Sequence, residues 1–157
     1  MTNHTCTEIL NAVYNALKND VTLAARIKSW RVGLMHAAQP IYPCVDVDMV
    51  AFPIEAITTG HLGKDSRTYE LVIQVGTRNL AGDMSLLGGT VDSTSVYGLL
   101  ELVENIISVV RVNDFGVFKM PANVTRVDFG IGTPDAAGFI RLAQISISGV
   151  AYNTRNA

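Results

Sequence analysis

Residues 93–111, STSVYGLLELVENIISVVR, constrain the fold more than any other stretch of the chain. At 3.6 residues per turn, Val96, Leu99, Leu100, Leu102, Val103, Ile106, Ile107, Val109 and Val110 occupy about half of a helical circumference. Gly98, Glu101, Glu104, Asn105, Ser108 and Arg111 take the other side. A surface helix buries an apolar stripe little wider than roughly 100°, so this one requires a broad partner: a sheet, or a sheet plus a neighbouring subunit. Those aliphatic side chains, at about 2 kcal/mol each, would contribute on the order of 18 kcal/mol before conformational entropy is subtracted. Asp92, Ser93 and Thr94 compete for the N-cap, and Arg111 suits the negative end of the helix dipole.

The remaining elements follow from period and punctuation. Thr5 with Glu8 has the form of a capping box and opens a helix with Ile9, Leu10, Val13, Tyr14, Ala16 and Leu17 on one face. Lys18 lies in its last turn, and Asn19 is expected to end it in the left-handed conformation. Asp20 caps a second short helix over 21–27, which Trp30 and Gly33 interrupt. Residues 41–50 alternate, with Val45, Val47 and Met49 against Asp46 and Asp48, which predicts a half-buried strand led by Pro40 and Pro43 and ended by Pro53. The polar stretch 58–66 turns into a strand over 67–77, so the two strands form a long hairpin. Residues 79–92 are glycine-bearing and aperiodic, a long loop. A short strand over 115–120, a strand over 124–131, a turn at 133–138 and a last strand over 139–152 complete the chain. This order predicts one α+β domain spanning 1–157, mainly antiparallel β-sheet packed against one long and one shorter α-helix.

Chemistry is sparse by comparison. The 12 basic and 14 acidic side chains leave a net charge of -2, which gives no electrostatic footprint for nucleic acid or an anionic membrane. The N-terminus shows no basic and apolar leader pattern, and no window approaches the length of a membrane span, so synthesis in the cytoplasm is expected. Cys6 and Cys44 have no metal-type spacing and read as reduced thiols. His4, His36 and His61 are scattered; a Cys44–His61 nucleophile is conceivable, but a small buried hydrophobe is the ordinary role of a thiol in IYPCVDV. Asp46 and Asp48 share one strand face, which suits a paired acid, a channel-facing acidic row or plain solvation. Lys64, Arg67 and Arg78 flank the hairpin as solubilising charges or partner contacts. No phosphate-binding loop, nucleophile elbow or metal motif is present, so no enzyme activity, cofactor or metal is expected. With 48% hydrophobic and 17% charged residues, the balance is apolar for so small a chain and favours oligomerisation.

Taken in sequence, EILNAVYNALKNDVTLAARI, PIYPCVDVDMV, RTYELVIQVGTRN, VYGLLELVENIISVVRV, VTRVDFGIG and AGFIRLAQISISGVAYN resemble the tail terminator (tail-completion) proteins of long-tailed bacteriophages. The resemblance covers nearly the whole chain as an arrangement of elements. It implies a structural virion protein that forms a homo-oligomeric, hexameric ring at the head-proximal end of the tail tube. Such a ring ends tube growth and presents a head-tail joining surface to the head-side connector, or neck, protein. The partners implied are the tail tube protein, the neck protein, sheath protein in a contractile tail, and genome DNA that passes through without specific binding. The family supplies no catalytic residues. Another tail or neck component (head-completion, tube or baseplate protein) and a small-ligand binding domain are the alternatives.

Overall fold

The computed structural model describes residues 3–33, 41–58, 63–79, 98–130, 133–135 and 138–154. Its spine is a pair of long strands, β4 (Lys64–Asn79) and β7 (Gly138–Thr154), antiparallel from Lys64↔Thr154 to Asn79↔Phe139. Around it the sheet runs β1 (Ser29–Val32), β2 (Cys44–Ala51), β4, β7, β5 (Asn123–Phe129). The short β3 (Ile54–Ala56) pairs with β4, and β6 (Thr133–Asp135) pairs with β7. Among the described residues only β1 and β2 run parallel, and the other pairings are antiparallel. Three helices, α1 (Cys6–Asn19), α2 (Val21–Arg26) and α3 (Leu99–Val110), share one core with one face of this sheet, giving the α+β architecture expected.

Alternation explains which face is covered. Register puts Val45, Val75 and Ala143 in one row across β2, β4 and β7, and Val47, Ile73 and Ile145 in the next, all buried. Residues one position away, among them Asp46, Gln74 and Gln144, necessarily point to the opposite face, which carries no helix among the described residues. Such a one-sided antiparallel sheet reads as hydrophobic in, polar out.

The helices are set by local chemistry and then by burial. The Thr5 hydroxyl accepts from Glu8 N (3.2 Å) while the Glu8 carboxylate accepts from Thr5 N (2.6 Å), so the capping box is complete. That backbone bond holds the Glu8 carboxyl below its ordinary pKa. Asn19 does not take the left-handed form. Instead Asp20 is extended (φ -65°, ψ 127°); its N–H bonds to Leu17 O and its Oδ2 accepts from Leu23 N (3.0 Å), closing α1 and opening α2 together. Of the broad apolar arc on α3, Leu99, Leu102, Val103, Ile106 and Val110 are buried, whereas Leu100, Ile107 and Val109 are half-buried. The buried stripe is therefore narrower than the sequence arc, and the helix begins later than expected. Extended Gly98 (φ -66°, ψ 137°) is its N-cap, without a side-chain cap, in place of Asp92, Ser93 or Thr94, which with Val96 and the rest of 93–97 lie outside the described residues. The helix is not the longest described: α1 has 14 residues and α3 has 12.

Two expectations about strands need correction. The helical pattern ends before Trp30, as expected, but Trp30 belongs to an unexpected strand, β1, edge-on to Tyr14 of α1 at 6.3 Å. Residues 115–120 form a turn rather than a strand, because Asn113 Oδ1 accepts from Phe115 N (2.8 Å) and Asp114 Oδ1 from Gly116 N (2.9 Å). Phe115 and Gly116 consequently have φ of 56° and 71°. Of the turn expected at 133–138, residues 133–135 form β6, antiparallel to the start of β7, and 136–137 lie outside the described residues. The 79–92 loop, apart from Asn79 itself, and residues 59–62 of the tip at 58–66 lie outside the described residues; 64–66 already belong to β4.

Candidate functional site

The helix-free face of the sheet is where the sequence-predicted acidic pair lies. Asp46 and Asp48 stand on β2, both half-buried and on one face as alternation requires. Register brings Asp46 beside Arg31 of β1 and Gln74 of β4; the same row continues through Gln144 of β7 to Asp128 of β5. Asp48 is level with Val72, Ser146 and Arg126, and its Oδ1 accepts from the N–H of Met49 (2.8 Å). At the far side, Arg126 Nε bonds Asp128 Oδ1 at 2.7 Å, an exposed pair of little energetic weight. The face is thus a polar ladder with carboxylates towards both sides and amides in the middle. Asp46 and Asp128 are three strand spacings apart, roughly 14 Å, too far for two carboxyls to act on one bond. Asp128 completes the row only through the β2–β4–β7–β5 register, a long-range fact that alternation within one strand does not reveal.

Cys44 lies on this face beside Gly76, where an added Cβ would meet Leu142 at 2.9 Å, Tyr42 at 3.0 Å and the Cys44 sulfur at 3.1 Å. Burial, and then the charge of Asp46, pushes the Cys44 thiol up to about 11. A thiol held protonated is a poor nucleophile, which accords with the small-hydrophobe role; His61, its imagined partner, and His36 lie outside the described residues. His4 Nδ1 is 3.9 Å from Glu8 Oε2. Because the folded pKa of the Cys44 thiol lies above the ordinary 9.0, the unfolded chain loses the thiol proton first, and stability falls as pH rises from 9 towards 11. At pH 8, iodoacetamide should modify the half-buried Cys6 well before Cys44, which should react only once the protein is denatured; peptide mass spectrometry reads the order. Faster labelling at Cys44 would contradict its packing against Gly76.

The three basic residues do not form one surface. Lys64 and Arg78 are near opposite ends of β4, about 46 Å apart at roughly 3.3 Å per residue. Lys64 is exposed; its N–H donates to Thr58 Oγ1 (2.7 Å). Arg67 is half-buried on the helix-side face, its guanidinium 3.1 Å from the Asn153 side-chain amide, whose oxygen accepts from it once the amide is turned to satisfy both its neighbours. Arg78 lies over the Tyr42 ring, 4.9 Å from its centre.

Between α1–α2 and α3 there is an open cleft of about 470 Å³ lined by Asn19, Asp20, Asn105, Ser108 and Asn113 among others. Its one carboxylate, Asp20, already caps α2. Among the described residues no three His, Cys, Asp or Glu side chains are placed to hold a metal ion, and no helix is long and apolar enough to cross a membrane. No protein-family model matches the chain, and no curated protein matches it in sequence.

Proposed function

We propose that the chain is a structural, ring-forming subunit that closes the head-proximal end of a phage tail tube and offers the joining surface for the head. The observation that carries this reading is the element order: helix pair, proline-led strand, long hairpin strand, helix, then a closing strand pair, on which the resemblance to tail terminators rests. Supporting it, no helix among the described residues covers one face of the sheet, and its borders differ in chemistry. A closed ring needs two unlike, complementary surfaces on each subunit. One border, from β2 into β3, exposes Val50, Phe52, Ile54 and Ile57; the corner after α3 exposes Val112 and Met120. Isolated exposed aliphatics are ordinary, but four within eight residues of one edge form a surface suited to being covered.

In this reading the bare face with Asp46 and Asp48 lines the channel, where carboxylates keep passing DNA from sticking. Reversing both charges, Asp46→Lys with Asp48→Lys, is expected to make assembled rings retain DNA in a salt-sensitive way or slow genome passage. Passage and retention equal to the parent's would remove the channel assignment. The function itself is tested by electron microscopy of particles made without the chain. Tails of irregular length and unattached heads are expected; tails of normal length joined to capsids would end the proposal. Shortened or absent tubes would instead assign the chain to the tube or baseplate.

A further inference from the structure

Among the described residues, β7 has no strand neighbour beyond Ser148 on the side where β5 lies. Alternation turns the backbone N–H and C=O groups of Val150, Tyr152 and Thr154 to that side. There Lys119 N donates to Val150 O (2.8 Å). The side-chain amide of Asn3 stands in for a peptide group at Thr154, donating from Nδ2 to its carbonyl (2.7 Å) and accepting its N–H at Oδ1 (2.8 Å). With the Asn153 side-chain amide turned so that its oxygen faces Arg67, its nitrogen meets the Tyr152 carbonyl at 3.1 Å. This stretch of edge is therefore closed by amide side chains and one turn N–H rather than by a strand, and an edge so closed remains a template for one.

A cavity of about 650 Å³ opens along the same edge, and its lining differs on the two sides of the sheet. Phe118 and Ala151 face it from the helix side, both buried in the core. On the bare side stand Tyr152 and Lys119, whose Nζ lies 4.2 Å from the Tyr152 ring centre and 3.2 Å from its hydroxyl. Lys64, level with Thr154, adds a second ammonium group, His4 lines the cavity beside it, and the lining contains no carboxylate. In a chain of net charge -2 this is a local reversal of sign.

We infer that the Val150–Thr154 edge is a strand-addition site for an extended segment of a partner protein in which acidic and apolar side chains alternate. An added strand presents successive side chains to opposite faces. Its acids then meet Lys64 and Lys119 on the bare face while its apolar residues meet Ala151 and Phe118 on the other. Its backbone replaces the Asn3 amide at Thr154. The inference concerns the chemistry of one edge and does not depend on the phage assignment.

Calorimetric titration of the whole chain with the capped peptide Thr-Val-Glu-Val-Glu-Val-Thr tests it, against the same peptide with lysine for glutamate and against oligothymidylate. The acidic peptide should bind about tenfold more tightly than the basic one, the scale of two exposed charge contacts made or reversed. Lys64→Glu with Lys119→Glu should weaken acidic-peptide binding by about tenfold while the circular dichroism stays unchanged. Asn3→Ala, which removes the group to be displaced, should strengthen it. Equal affinity for both peptides, indifference to the lysine reversal, or no binding even by the Asn3→Ala protein overturns the inference. Tighter binding of oligothymidylate than of the acidic peptide overturns it too, since a polyanion would satisfy the lysines without using the strand edge.

Discussion

Replacing Ile106 by alanine should lower stability by about 3–4 kcal/mol, which for a chain of this size lowers Tm by roughly 10 °C. Ile106 is fully buried in the middle of the α3 stripe formed by Leu99, Leu102, Val103, Ile106 and Val110. Its removal leaves a void that cannot collapse easily. The sheet beneath is held by the uninterrupted β4–β7 ladder, and α3 is tied to α2 by the Arg26–Glu101 ion pair at 2.8 Å. The neighbouring Ile107→Ala is the control, because Ile107 is half-buried at the margin of the core and should cost only about 1 kcal/mol. Chemical denaturation of the two variants, with unchanged m values, gives both numbers. Equal costs in the monomer would mean that α3 is rotated from the orientation described. If Ile107→Ala becomes costly only after self-association, the outer part of the apolar arc is used between subunits.

The contrast between those two residues also shows where sequence reasoning stops. Periodicity placed Ile106 and Ile107 in the same half-circle, and only the position of the sheet decides which lies under it. What is encoded within a few residues was legible: the reciprocal Thr5–Glu8 cap, Asp20 opening a helix, and the alternation in β2, β4 and β7, where one covered face sorts every second side chain. β1 escaped because its four residues are all half-buried and show no alternation, and because Trp30 is seated by Tyr14 from another element. The strand expected at 115–120 failed for a local reason that was present in the sequence, since Asn113 and Asp114 before Gly116 specify a turn. The candidate sites divide in the same way. That Asp46 and Asp48 share a face is a property of one strand, whereas their alignment with Gln74, Gln144 and Asp128 belongs to the register of four. Asn3 carried no signal at all, because its role depends on Thr154, 151 positions away.

Gly149→Ala should be the most damaging single-methyl change, at about 2–3 kcal/mol. An added Cβ there would lie 2.4–2.5 Å from ring carbons of Phe118, well inside van der Waals contact. Neither side can retreat cheaply. Gly149 is level with Tyr69 in the β4–β7 ladder, so moving its backbone disturbs the spine of the sheet. Phe118 is buried, with Tyr69 at 6.4 Å and Phe115 at 6.1 Å between ring centres, and Phe115 is itself fixed in a turn at positive φ. Overpacking of this kind costs about 1–3 kcal/mol and sometimes more, while losing the flexibility of glycine in the unfolded chain returns about 0.4–1 kcal/mol. The severity of the overlap places this site at the upper end, and Tm should fall by roughly 5–10 °C. Phe118→Leu alone should cost about 1–2 kcal/mol, yet in the Gly149→Ala background it should recover part of the loss, a coupling of at least about 1 kcal/mol between the two positions. Strictly additive costs would mean that the ring is not seated on the glycine. The turn after α3 would then be held to the sheet by something other than this aromatic contact.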